Sequence, residues 1–599
     1  MTRKLHVLPQ QRGSRRGLSG SAIYHWLWLR DLILGGSFLF LLCAWLVLAA
    51  SRWAAPLTPV VAISLSPLAL PLYAGYSLLR MLLAYGLALL FTLLYGHVAA
   101  TNRQAEHVMI PLLDLLQSIP ILSFLPAVVL ALVAAFPQSN IGLELASILL
   151  IFTSQAWNMT FSFYHSVLTL PRDLVDVCRL LRLRPWQRFL KLELAASIIG
   201  LVWNSMMSWA GGWFFLMASE QFSLGDRSFQ LPGLGSYLQL AADRGDPRAL
   251  TLGLLTLIGL IVLLDVCLWR PLVAWAERFK LEEQAETIPP HSLVLDLLRG
   301  SPTARWLWKH LGQPLGEGLA WLLNRLQPLP GDRFTHPSTV EQARQDRLLH
   351  WALRSAGMLF LGLLVLLVLW ISWQGGLLLM QVPPVTWGRL VLAAGATWLR
   401  TLIALAIGTL WTVPIGVAIG LSPRWSRRLQ PLVQIAASIP ATALFPALLA
   451  LLVALPGSLS LAAILLMLLG TQWYVLFNVI AGAMAIPRDL LEAAALFGVT
   501  GWRRWRTVIL PAIFPYLVTG LITASGGAWN ASIVSELVQF HGQTLHTFGL
   551  GAEIAAAAGT GNYPVLLAGT LLMAALVVLF NRLVWRRLYQ LAERRYRLA

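Results

Sequence analysis

Twelve apolar runs, each about as long as a helix that crosses a bilayer core, punctuate this chain and leave little room for any other fold. They lie near 32–50, 76–99, 119–136, 143–167, 195–219 and 249–269, and again near 352–374, 396–421, 439–455, 459–485, 513–536 and 563–583. The runs at 119–136 and 439–455 are short and flanked by proline. Backbone polar groups in lipid must be satisfied within the segment, so such runs are read as helices. The expectation is an all-α polytopic membrane protein with about 12 spans. Composition agrees: 57% of the 599 residues are hydrophobic, 12% are charged, and the mean hydropathy is +0.70.

The net charge of +18 could point to nucleic acid, but the arginines fall in short clusters between the runs and no basic reading motif is visible. Membrane topology accounts for them, and no nucleic-acid partner is expected. Lys and Arg concentrate at 103, 172–191, 424–428, 488–506 and the C-terminal end, whereas the loops near 51–75, 375–392 and 537–562 hold almost none. The positive-inside rule then puts both termini and the central segment in the cytoplasm of a bacterial inner membrane. The loop at 220–248 is ambiguous, because Arg227, Arg244 and Arg248 face Asp226, Asp243 and Asp246. The basic first 30 residues precede a run of span length without a small-residue cleavage site, which reads as a first helix. Cys43, Cys178 and Cys267 are too dispersed for a metal site or a disulfide framework.

The chain repeats itself. "LLQSIPILSFLPAVVLAL" answers "IAASIPATALFPALLALL", "LPRDLVD" answers "IPRDLLE", "GGWFFLMASE" answers "GAWNASIVSE", and "PGLGSY" answers "FGLGAE", all in one order. An even number of spans per copy gives both the same orientation, with a pseudo-twofold along the membrane normal. The domains read as an N-terminal tail (1–31), a first half (32–269), a cytoplasmic linker (270–350), a second half (351–585) and a C-terminal tail (586–599). Within the linker, 304–326 has the composition of a surface amphipathic helix, with a plain tether as the alternative.

The polar island "LLEAAALFGVTGWRRWRTVILP" at 490–511 carries the most specific signal. Glu492, Ala493 and Ala494 are followed after three residues by Gly498, and after nine more by Val508–Pro511, with Leu510 before the proline. This resembles the EAA loop of binding-protein-dependent ABC importer permeases, departing only at Val508, where the family has Ile. The resemblance implies a short helix that docks on an ATPase subunit. Small alanines allow close approach, and Gly498 permits a sharp turn. Arg503 and its neighbours Arg504 and Arg506 are either ATPase contacts or positive-inside charges. The first-half copy at 171–193 has drifted: Asp176 stands at the Glu place, Val177 and Cys178 at the alanines, Arg182 at Gly498 and Ala195 at Pro511. Less typical docking is expected there.

No G-x-x-x-x-G-K-[ST] loop exists, since none of the four lysines follows a glycine. The chain is therefore expected to be a translocation subunit and no enzyme, without catalytic residue, metal or bound cofactor. ATP and Mg²⁺ would sit on two partner ATPase subunits, identical or different. The resemblance also implies an extracytoplasmic solute-binding protein. The "SIP" turns, "AWNASIVSE" and the "SLLR" and "TWLR" starts are most similar to the nitrate, sulfonate, taurine and bicarbonate group, so a small anion is the expected solute. A secondary transporter with parallel repeats is the alternative.

Arg80 and Glu220, and Arg400 and Glu536, stand at matching places near the outer ends of matching spans. Ion pairing is the first reading and substrate contact the second. Trp213, Trp529, Asn530, Gln155 and Gln472 are candidates for lining a path. Ser118 with Pro120, and Ser438 with Pro440, are expected to break helices, as a gate or as a fixed bend.

Overall fold

The computed structural model describes residues 62–279 and 372–595, apart from 119, 137–139, 225–226, 453–457 and 541–542, together with isolated short pieces between 294 and 370. The first expected span at 32–50, most of the seventh at 352–374 and most of the linker lie outside the described residues.

The first half comprises α1 (Leu70–Thr101), α2 (Arg103–Ser118), α3 (Leu125–Ala135), α4 (Ile141–Leu168), α5 (Arg172–Leu180), α6 (Pro185–Glu220), strands β1 (Gln221–Leu224) and β2 (Arg227–Gln230), α7 (Leu234–Asp243) and α8 (Pro247–Phe279). The second half repeats this order with α9 (Pro384–Leu421), α10 (Pro423–Ser438), α11 (Ala441–Leu452), α12 (Ser458–Met484), α13 (Arg488–Leu496), α14 (Gly501–Ser535), β3 (Leu537–Phe540), β4 (Gln543–His546), α15 (Leu550–Gly559) and α16 (Tyr563–Ala592). Among the described residues seven helices are long and apolar enough to cross a membrane: α1, α6, α8, α9, α12, α14 and α16. The 28-residue α4 holds the place of α12 but is more polar.

The expected third and ninth spans are short helices that follow a break, Leu125–Ala135 and Ala441–Leu452 among the described residues. The helix from Arg424 to Ser438 meets Ala441–Leu452 at 79°, and in the first half a 3₁₀ turn at Ile121–Ser123 separates α2 from α3. Pro120 and Pro440 cannot donate a backbone hydrogen bond, and Ile439, before Pro440, is extended (φ −73°, ψ 116°). At 1.5 Å per residue the 11-residue α3 is about 16 Å long, roughly half a bilayer core. Residues 103–118, expected as a loop, are helical because Asn102 Oδ1 accepts from the amides of Gln104 (3.0 Å) and Ala105 (3.3 Å).

The expected loops at 220–248 and 537–562 are also ordered. Each is an antiparallel hairpin followed by a 10-residue helix. Asp246, in the ambiguous charge cluster, caps α8 by accepting from the amides of Arg248 and Ala249, both at 3.0 Å. Helix ends overrun their expected limits: α6 begins ten residues early at Pro185, and helical structure after Tyr563 continues to Arg595, through most of the expected C-terminal tail. Hydropathy marks the lipid-facing stretch, whereas intrahelical hydrogen bonds continue beyond it wherever propensity permits.

Each half packs α1, α4 and α6, or α9, α12 and α14, around one buried seam. The broken segments cross between halves. Ile121, Leu122 and Leu125 join a core with Trp529, Leu550, Ile554 and Leu566, while Ala443 joins the first-half core beside Leu216, Met217 and Leu238.

Candidate functional site

Two copies of one buried ionic cluster tie α7 and α15 to their halves. Arg80 Nη1 lies 2.7 Å from Glu220 Oε1, and Arg400 Nη1 lies 2.8 Å from Glu536 Oε1. Both glutamates are fully buried. Ser77 Oγ donates to Glu220 at 2.6 Å, and Thr397 Oγ1 to Glu536 at 2.8 Å. The other carboxylate oxygen accepts from Gly235 N at 2.6 Å or Gly551 N at 2.9 Å, at the start of the short helix. The repeated "GLG" has a steric reason, since a Cβ at Gly233 or Gly549 would run into the carboxylate itself. A buried carboxylate so paired and hydrogen-bonded is satisfied, and helix N-termini favour negative charge.

The copies differ in one respect. Arg80 also forks onto Glu144, with Nε–Oε2 at 2.6 Å and Nη2–Oε1 at 2.7 Å. Arg400 instead donates to Thr547 Oγ1 at 2.9 Å, while the backbone contact is shared, Arg80 donating to Pro232 O and Arg400 to Phe548 O, each at 2.9 Å. One arginine thus holds two carboxylates in the first half and one in the second.

At the opposite end stand the two loops. After α13 the chain turns at Gly498 (φ 65°), with Gly498 N donating to Ala495 O (3.0 Å) and Val499 N to Ala494 O (2.8 Å). After α5 the same turn occurs at Arg182 (φ 48°), with Arg182 N to Arg179 O (3.0 Å) and Leu183 N to Cys178 O (3.1 Å). Both are Schellman closures, which need a left-handed residue at that point. The geometry persists where the glycine was lost. Both loops also lead into a π-helical turn, Phe189–Leu194 or Trp505–Ile509, whether Ala195 or Pro511 follows. Each helix exposes an apolar pair at its end: Leu180 and Leu181 in one, Leu496 and Phe497 in the other, each side chain at least two-thirds exposed. Glu492 and Arg503 lie in the second loop and Asp176 in the first, where Asp176 Oδ1 pairs with Arg179 Nη1 at 3.1 Å. Ala494 is buried against the body of the protein.

Between the halves runs a chain of cavities. The largest, about 640 Å³, reaches the loop-bearing end. It is lined by Ser154, Trp157, Asn158 and His165 of α4, Asp114 and Gln117 of α2, Thr523, Ser525 and Asn530 of α14, and Arg582 and Arg586 of α16. A smaller one of about 70 Å³ touches Phe214, Gln434, Pro440, Tyr474 and Asn530. A third, about 240 Å³ and mainly apolar, lies toward the hairpins and touches Leu122 and Thr442. Two cross-half hydrogen bonds separate it from the others: Leu122 N to Asn530 Oδ1 at 3.2 Å and Thr442 Oγ1 to Phe214 O at 3.5 Å. Leu122 and Thr442 are repeat partners, as are Phe214 and Asn530. Each broken segment therefore abuts the other half's long helix at one equivalent level.

With this geometry established, comparison with known families is decisive. The model of the binding-protein-dependent transport system inner membrane component matches twice, at residues 88–269 and 412–598. The chain belongs to this family.

Two copies of the permease domain thus stand in one polypeptide, one in each half. The taurine transport system permease protein of Escherichia coli (strain K12) is 30% identical over 200 residues, covering 33% of this chain and 68% of that protein. The bicarbonate transport system permease protein of Synechococcus elongatus is 31% identical over 144 residues, covering 24% of this chain and 50% of its own length. The riboflavin transport system permease protein of Chloroflexus aurantiacus is 29% identical over 248 residues, covering 37% of this chain and 87% of that protein. The matched region thus spans only about half of the bicarbonate relative.

Of the residues anticipated to line the permease's path, Asn530 touches the central cavities. Trp213, Trp529, Gln155 and Gln472 line none of these three cavities and are buried in the helix packing, Trp529 in the core that Ile121 and Leu122 of the other half join. Gln472 Oε1 accepts from Trp411 Nε1 at 3.1 Å, whereas the corresponding place in the first half is Phe91 and the Gln155 amide has no hydrogen-bond partner among the described residues. The physical reason is rotation: Ser154 and Gln155 are about 100° apart on the helix, so only one can face the cavity. Pro440 lines the smaller cavity, and α2 and α10 end at Ser118 and Ser438. Sequence reading missed Leu122 and Phe214, which carry no polar or charged signature, Thr442, whose hydroxyl is one of many along the spans, and the glycine pairs, which the repeated "GLG" could have revealed.

Proposed function

We propose that this permease carries a small anion from an extracytoplasmic binding protein to the cytoplasm, driven by two separate ATPase subunits docked on the loops at 171–193 and 487–511. The observation that carries this reading is the pair of equivalent turns, at Arg182 and Gly498, each presenting an exposed apolar pair at the end where the largest cavity emerges. Exposed leucine and phenylalanine on short helices are surfaces for a partner groove. Asp176, Glu492 and Arg503 flank those tips as polar rim.

In this reading the loop-bearing end is cytoplasmic, as the arginine distribution favours. The contacts Leu122–Asn530 and Thr442–Phe214 then form the closed outer gate, and the proline breaks at Pro120 and Pro440 let each half lend a short segment to it. The Arg80–Glu220 and Arg400–Glu536 clusters act as rigid clamps on α7 and α15 and make no substrate contact. Arg582, Arg586 and His165 in the inner cavity, against the single carboxylate of Asp114, favour a negatively charged solute.

The test is co-purification and vesicle uptake. Leu496→Asp with Phe497→Asp is expected to strip the ATPase subunits from the complex and abolish ATP-dependent uptake, with the permease still folded by thermal unfolding. Uptake by this chain alone in liposomes without ATP would refute the reading.

A further inference from the structure

We propose that a second cavity, about 440 Å³ and confined to the first half, is a binding site for a phosphate-bearing anion, with Arg182 as its principal ligand. The cavity lies between the end of α1, at His97 and Thr101, and the α5–α6 turn, where Cys178, Arg179, Arg182, Arg188 and Glu193 complete the wall. It is separate from the transport path. Neither Leu180 nor Leu181 lines it, so it is also distinct from the exposed apolar tip of the loop.

Charge singles out Arg182. Glu193 is buried, with His97 Nδ1 at 2.7 Å and Arg188 Nε at 3.0 Å from its oxygens. Arg179 faces Asp176. Among the described residues Arg182 has no carboxylate within ion-pair distance, although it borders a cavity that already holds two other guanidinium groups.

Backbone strain points the same way. Arg182 occupies a left-handed conformation (φ 48°) at the place where the second half has glycine. A residue with a Cβ is disfavoured there. Such a residue persists when its side chain has a use. The equivalent positions in the second half are Val417 for His97, Ala494 for Cys178, Ala495 for Arg179, Gly498 for Arg182 and Ile509 for Glu193, so the polar wall apart from Arg188, which Arg504 matches, belongs to one copy. The first loop has been rebuilt around a cavity as well as having lost its alanines.

The ligand chemistry follows from the guanidinium. Its planar fork matches the oxygens of phosphate, and the volume exceeds that of one phosphate group. Because α1 leaves the bilayer here, the phosphate is either the headgroup of an anionic lipid or a free ion.

Cys178 supplies the probe, since it lines the cavity as a free thiol. The full chain in phosphatidylcholine nanodiscs would be treated with N-ethylmaleimide, and labelling of the Cys178 peptide followed by mass spectrometry. Inorganic phosphate would be titrated in one arm and phosphatidylglycerol incorporated in the other. Saturable protection of at least about fivefold in either arm, lost in Arg182→Gly, is expected, and the protecting arm identifies the source. Arg182→Gly relieves strain, so its folded state can be verified by an unchanged or raised unfolding temperature. Absence of saturable protection in both arms, or equal protection in Arg182→Gly, would overturn the proposal. So would protection that appears only when ATPase subunits are added, which would assign the cavity to a protein contact.

Discussion

At the scale of single residues, the two copies of the repeat act as each other's controls. Gly498 and Arg182 share one turn, and an added Cβ at Gly498 would meet no neighbour, so only backbone conformation separates glycine from alanine there. Gly498→Ala is therefore expected to destabilise the loop by about 1–2 kcal/mol and Arg182→Gly to stabilise its own by a similar amount. Thermal unfolding of the purified chain, with local hydrogen exchange at α5 and α13, would read both. The clamps give a second contrast. Arg400 has Glu536 as its one carboxylate partner among the described residues, whereas Arg80 holds Glu144 as well as Glu220. Removing one member of a buried pair costs about 3–5 kcal/mol when the other is stranded. Glu536→Gln should thus lower stability markedly more than Glu144→Gln, measured as the midpoint of unfolding in detergent. Equal losses would show that the neutral acceptors around Arg400, Thr547 Oγ1 and the Phe548 carbonyl, suffice.

At the scale of elements, length and apolarity identified helices, and the two "SIP" prolines identified breaks, although Pro414 and Pro515 lie inside α9 and α14. The broken segments were legible in part: "SIP" in both halves predicts an interruption at the start of each short run, but apolarity did not show that the helix after it has only 11 or 12 residues. The hairpin–helix units were illegible, because a 10-residue apolar helix such as Leu550–Gly559 is too short to register as a span. They stay in place through the buried glutamate at the helix N-terminus. Gly549→Ala would place a Cβ against the Glu536 carboxylate and displace α15. The expected result is a faster exchange of amides in α15 and a loss of transport, with the equivalent Gly233→Ala behaving alike. Normal exchange in both variants would show that the carboxylate can move aside without consequence.

At the scale of the whole molecule, the separation of cavities predicts how the halves move. Leu122 of one half and Asn530 of the other meet at 3.2 Å, and Thr442 and Phe214 repeat the contact. A Leu122→Cys, Asn530→Cys pair, in a background with the native cysteines replaced, should crosslink on mild oxidation and block uptake, with reduction restoring it. Efficient uptake by the crosslinked protein would remove these contacts from the gate. In the inner cavity, Arg582→Gln with Arg586→Gln should reduce uptake of an anionic solute by at least about tenfold while ATPase subunits remain bound. That separation distinguishes a path defect from a docking defect.

The amino-acid sequence by itself determined the membrane class, the internal duplication, the EAA loop and the family, because span-length hydropathy and fixed-spacing motifs are local properties of a chain. It also placed Arg80, Glu220, Arg400 and Glu536 at matching positions, since charge in an apolar run stands out. Tertiary structure alone decided which side chains face the central cavity: Gln155 and Ser154 are neighbours in the chain, yet helix rotation turns one into the packing and the other toward the cavity. It alone brought Leu122 to Asn530 across 408 positions, and it alone showed that Arg182 keeps a glycine's backbone. Contacts between halves and left-handed turns depend on how distant segments are held together, and no local pattern of residues carries that information.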